Sequence, residues 1–127
     1  MMAETHAHSS YYEEIRSLAA AAREERRRFE SPDEDEREER ALSYVRRGVA
    51  PVTGVYLEGH TGGRNVRFSA TELELLHRAL NDWLTLYARC YGVRVDPDAT
   101  VRTAAEVLLQ THSARDVARL LTDTPSG

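Results

Sequence analysis

The sequence predicts an α+β fold that is predominantly helical. A β-hairpin should pack on a long central helix, with two short C-terminal helices and an N-terminal two-helix arm. Three observations carry this reading. Apolar residues recur at helical spacing from Leu73 to Tyr91. Proline and glycines from Pro51 to Gly63 interrupt the chain ahead of it. Ser/Thr-x-x-Glu-type signals stand before two of the helical runs.

The elements follow in chain order. Residues 1–9 are small and polar and are expected to be a disordered tail. A first helix starts after Ser9 or Ser10. It presents Tyr11, Tyr12, Ile15, Leu18, Ala19 and Ala22 at i, i+3 and i+4 spacing before running into charge. Ser31-Pro32-Asp33-Glu34 reads as the start of a second helix, with Ser31 as cap and Pro32 in the first turn. Acidic residues crowd its start, Arg46 and Arg47 close it in accord with the helix dipole, and Gly48 is placed as its C-terminal cap. Residues 10–48 therefore read as a helical arm and 49–127 as an α+β core domain.

Val52 to Glu58 and Arg64 to Phe68 read as two strands, turned by Gly59-His60-Thr61-Gly62-Gly63. Val55 with Leu57, and Val66 with Phe68, would form the inner face. An isolated hairpin is marginal in water, so it needs a helix to lie on. Ser69-Ala70-Thr71-Glu72 opens that helix as a capping box, and Gly92 closes it. Leu73, Leu76, Leu80, Trp83, Leu84, Tyr87 and Tyr91 share one stripe, widened by Leu75, Ala79, Leu86 and Cys90. So wide an arc marks a hub with neighbours on two sides. Val93 and Val95 offer a third short strand. A helix over Val101 to Gln110 follows, and Ser113-Ala114-Arg115-Asp116 opens the last one.

Composition narrows function. At 127 residues the chain fits one domain, and 41% hydrophobic with 30% charged content is ordinary for a globular chain. All 17 cationic residues are arginine, which codon bias in a GC-rich genome explains. The net charge of -4 argues against a generic nucleic-acid coat. One cysteine, Cys90, excludes an internal disulfide framework and a multi-cysteine metal site. With no leader-like start and no long apolar run, the expected compartment is the cytoplasm, with no membrane partner.

No motif proposes catalysis, a metal or a cofactor. His6 and His8 lie in the tail without a third ligand. His60, His77 and His112 have no carboxylate or cysteine at ligand spacing. Cys90 sits near a helix C-terminus, which disfavours a thiolate. The expected function is a small non-enzymatic interaction or regulatory protein that associates with itself or with another protein. Its contact residues would be Tyr11, Tyr12, Ile15, Leu18, Leu75 and Leu86. The alternative is a DNA-binding regulator of ribbon-helix-helix or helix-turn-helix type, using Arg23, Arg26, Arg27, Arg64 and Arg67 on phosphates. A small enzyme of unknown class is the third expectation.

Overall fold

A computed structural model describes residues 9–61 and 67–124. Its helices are α1 (Tyr12–Arg28), α2 (Arg37–Tyr44), α3 (Ala50–Thr61), α4 (Ala70–Cys90), α5 (Val101–Thr111) and α6 (Ala114–Thr122). Among the described residues there is no strand, so the expected α+β class is corrected to an all-helical fold.

The hairpin fails because its first strand is helix. Val49, Val52 and Val55 recur every third residue, and all three are buried. Only over the short window of Val55 and Leu57 does the same sequence also satisfy a two-residue period. Gly48 and Gly59, expected as a helix cap and the start of a turn, are contact residues instead. A Cβ on Gly48 would lie 2.0 Å from Trp83 Cδ2, and one on Gly59 would lie 2.5 Å from Phe68 Cζ. Both let a helix backbone approach an aromatic ring that no larger residue would admit. The second expected strand, Arg64 to Phe68, lies mostly outside the described residues. Its last two residues sit in the segment entering α4, where Phe68 is buried and stacks on Tyr56 with ring centroids 6.0 Å apart. Val93 and Val95 do not form a third strand, although their segment is not helical.

The second helix also differs in its bounds. It opens as a 3-10 turn over Glu34–Glu36 with Asp33 at its cap, rather than at Ser31. Gly48 does not end it. Val45–Val49 form a π turn that hands over directly to α3, with the Ala50 N–H reaching Val45 O. Pro51 accounts for the wider turn. A proline has no N–H to donate, and its ring collides with the carbonyl four residues earlier. Widening the helix just upstream makes room for it and seats Gly48 on Trp83.

α4 is the organising rod. Leu76, Ala79, Leu80, Trp83, Leu84, Leu86 and Tyr87 are fully buried along it. Each such leucine contributes about 1.5–3 kcal/mol of burial free energy. α1 covers one side with Ile15 and Ala22, while α2 and the π turn cover another with Ala41, Tyr44 and Val49. Residues on both sides of Gly48 thus enter one core. The Trp83 indole N–H donates to Leu18 O at 3.3 Å, and Arg47 lies 5.7 Å from the centre of the same ring. α5 and α6 complete the shell with Val101, Ala104, Val117 and Ala118. Their caps are local: Thr100 accepts from the Thr103 N–H and Ser113 from the Asp116 N–H, both at 3.1 Å.

Candidate functional site

The C-terminal end of α4 borders an open cleft. Gly92 takes a left-handed conformation (φ 73°) just past the helix. The Gly92 N–H then donates to Arg89 O and the Val93 N–H to Ala88 O, so the last turn closes with its carbonyls satisfied. From Val93 to Thr100 exposure alternates residue by residue, with the odd positions turned inward. That two-residue period is the mark of an extended chain. Asn81 on α4 anchors its far end: its amide donates to Ala99 O and accepts from the Ala99 N–H, both at 3.0 Å.

Between this segment and the α1–α2 connection lies a cleft of about 510 Å³. Phe29, Val93 and Val95 give it apolar walls, and Arg89 and Arg94 line it with charge. The Arg89 guanidinium lies 6.0 Å from the centre of the Phe29 ring. Neither arginine has a carboxylate within ion-pair distance among the described residues. An apolar wall beside two uncommitted guanidinium groups suits a partner with both apolar and acidic groups.

Behind the cleft the same end of α4 buries polar groups. Tyr87 Oη, Tyr91 Oη and Arg37 Nε are enclosed without a hydrogen-bond partner among the described residues. The two tyrosine rings meet edge to face with centroids 5.5 Å apart. Burial, with the Tyr87 hydroxyl adding to it, pushes Tyr91 above the usual phenol range. Burial likewise pushes the Cys90 thiol up to about 11, against the smaller opposing pull of Arg40 and Arg37. Cys90 is therefore a protonated, enclosed thiol and a poor nucleophile. Arg115 stands at the edge of this group, paired with Glu38 at 3.0 Å.

The opposite end of α4 is sealed. Ser69 Oγ accepts from the Glu72 N–H at 3.1 Å, and Glu72 accepts from the Ser69 N–H at 2.8 Å, completing the capping box. The Glu72 carboxylate, fully buried, also accepts from the Ser9 N–H at 2.8 Å and the Ser9 hydroxyl at 2.6 Å. Burial works to raise this carboxyl, but the hydrogen bonds from Ser9 and Ser69 outweigh it and hold it below its usual range.

The residues singled out from the sequence are dispersed. Ile15 and Leu86 are wholly buried inside the chain, so neither reaches a surface. Tyr11, Leu18 and Leu75 are half-buried against the core, and Tyr12 is half-buried near Arg16. Among the described residues, the large apolar side chains left in water are Leu109 and Leu120, at 58% and 57% exposure, on α5 and α6. Of the arginine set, Arg26 pairs with Asp82 at 2.7 Å and Arg27 with Glu24 at 2.6 Å. Arg23 and Arg67 are exposed, and Arg64 lies outside the described residues. The stretch Arg64 to Phe68 that would serve as the DNA-reading ribbon lies mostly outside the described residues, and the strand expected beside it, Val52 to Glu58, is part of α3. α5 and α6 do meet at a tight turn through left-handed His112 (φ 58°), but Arg119 on α6 is held by Asp116 and Arg115 by Glu38. Among the described residues no group of three or more His, Cys, Asp or Glu could hold a metal ion.

Fold and site together define a small helical domain whose described residues share one core and carry an open cleft. The chain belongs to the family described as Domain of unknown function (DUF8055), whose model matches residues 9–126. No curated protein and no solved structure matches it.

Proposed function

We propose that the chain is a non-enzymatic protein-interaction module whose contact surface is the cleft at the C-terminal end of α4. The observation that carries this is the pair Arg89 and Arg94, both without a carboxylate in ion-pair distance among the described residues, beside Phe29, Val93 and Val95. Association rests on apolar contact flanked by charges that find partners only in the complex. The lone thiol is protonated and enclosed, which favours binding over catalysis as the role of this region. No helix among the described residues is long and apolar enough to cross a membrane, and we place the chain in the cytoplasm.

Position-specific crosslinking tests the module. A photoreactive amino acid in place of Val95, expressed in the native host, should give a discrete protein adduct. The adduct should fade when Arg89→Glu is added, and the same probe in place of Leu120 should not give it. Equal adducts from both positions, or none from Val95, would remove the cleft from consideration.

A further inference from the structure

We infer that Arg94–Asp98 is an edge strand that pairs antiparallel with the same segment of a second copy of this chain. Arg94 of each copy then faces Asp96 of the other. The inference rests on the interaction reading above and names its partner.

Successive amides of an extended chain point to opposite edges. Most of the odd-numbered edge is committed to this molecule: the Val93 N–H donates to Ala88 O at 3.1 Å, Ala99 is held at both backbone groups by Asn81, and Pro97 has no N–H to offer, which leaves the Val95 N–H as the one odd-numbered donor of this stretch without a partner among the described residues. The even-numbered edge, at Arg94, Asp96 and Asp98, has no hydrogen-bond partner among the described residues. The side chains of those three residues are exposed. Pro97 is the residue that would block strand addition, and its missing donor falls on the committed edge. An unpaired edge of this kind is a template for another strand.

Charge selects the occupant and the register. The free edge carries one cation and then two anions, so an all-acidic peptide would meet Asp96 and Asp98. A second copy running antiparallel supplies the complement. In that arrangement even-numbered residues must face even-numbered ones. Centring the two-fold axis on Asp96 sets two aspartates opposite each other, and centring it on Arg94 opposes two arginines. Centring it on Val95 opposes Arg94 and Asp96 twice and places no like charges face to face. It is also a self-complementary contact, as a two-fold dimer requires. The two Val95 side chains meet on the inner face, where each lines its own cleft.

Sedimentation equilibrium on the full chain tests this with three exposed-residue variants, each checked for unchanged helical content by circular dichroism. Wild type should dimerise in the micromolar range. Arg94→Asp alone and Asp96→Arg alone should each weaken the dimer about tenfold or more, since each sets like charges opposite twice. The double variant R94D/D96R, with unchanged net charge, should dimerise as wild type does. An equimolar mixture of the two single variants should also recover the dimer. A dimer indifferent to these changes overturns the pairing while leaving self-association in place. A wild-type chain that stays monomeric overturns the pairing too, and the Val95 crosslink to a different protein then decides separately whether the interaction reading stands.

Discussion

The two ends of α4 are built on opposite terms. At its start the buried carboxylate is fully answered: Glu72 gathers Ser9 and Ser69, and the helix cap is reciprocal. At its finish three buried polar atoms have no hydrogen-bond partner among the described residues, and two arginines without a carboxylate in ion-pair distance there line a cleft. Unsatisfied buried groups cost free energy and persist only where something else offsets them. The sealed end helps hold the fold, and the open end is where we propose that a partner binds.

Perturbations should separate the ends in order of size. The largest effect should come from neither end but from the seam between them. Gly48→Ala drives a methyl into the Trp83 ring and should destabilise the chain by about 3 kcal/mol or more, beyond ordinary overpacking because the obstacle is a fixed indole. Urea denaturation should show both ends lost together. At the sealed end, Glu72→Gln should cost about 1–3 kcal/mol, because an amide cannot accept from Ser9 and Ser69 as a carboxylate does.

That carboxylate also sets an acid limb. Its folded pKa lies below the usual 4.5, so the stability it gives is present above 4.5 and is lost as pH falls through the lower folded value. Melting curves across that range should show the decline in wild type and not in Glu72→Gln. The open end should show the reverse dependence. Cys90 has its folded pKa raised from 9.0 to about 11, so its contribution is whole below 9.0 and is lost as pH rises towards 11. Thiolate absorbance should accordingly have its midpoint near 11 in the folded chain, and alkylation at neutral pH should be slow until the chain unfolds. The smallest effect should be Tyr87→Phe. Removing a hydroxyl that makes no well-formed hydrogen bond among the described residues should change stability by less than about 0.5 kcal/mol, or raise it. A loss comparable to that of Glu72→Gln would erase the contrast between the ends.

The same contrast explains what could be read from the sequence. α4, α5 and α6 were legible because apolar spacing, capping residues and terminators agree there, from Ser69 and Glu72 through Gly92 to Ser113. The stretch from Gly48 to Gly59 was not. A glycine that breaks a helix and one that lets a helix touch a ring look alike until the ring's position is known. Pro51 misled for a related reason, since a helix widened by one residue can absorb it. Residues chosen for contact by their apolarity, Ile15 and Leu86, were consumed by α4's own neighbours. The cleft was invisible because what defines it is tertiary: Arg26 and Arg27 find carboxylate partners, whereas Arg89 and Arg94 have none within ion-pair distance among the described residues. One trace of it was present, in Val93 and Val95, whose spacing signalled an extended chain but not that its edge would be free.

Hydrogen exchange at low and high protein concentration tests the account most directly. Raising the concentration should slow exchange across Arg94 to Asp98 while leaving the amides around Ser69 and Glu72 unchanged. Exchange in that segment that ignores concentration, or protection that appears first at the Glu72 end, would contradict the assignment of the open end as the contact surface.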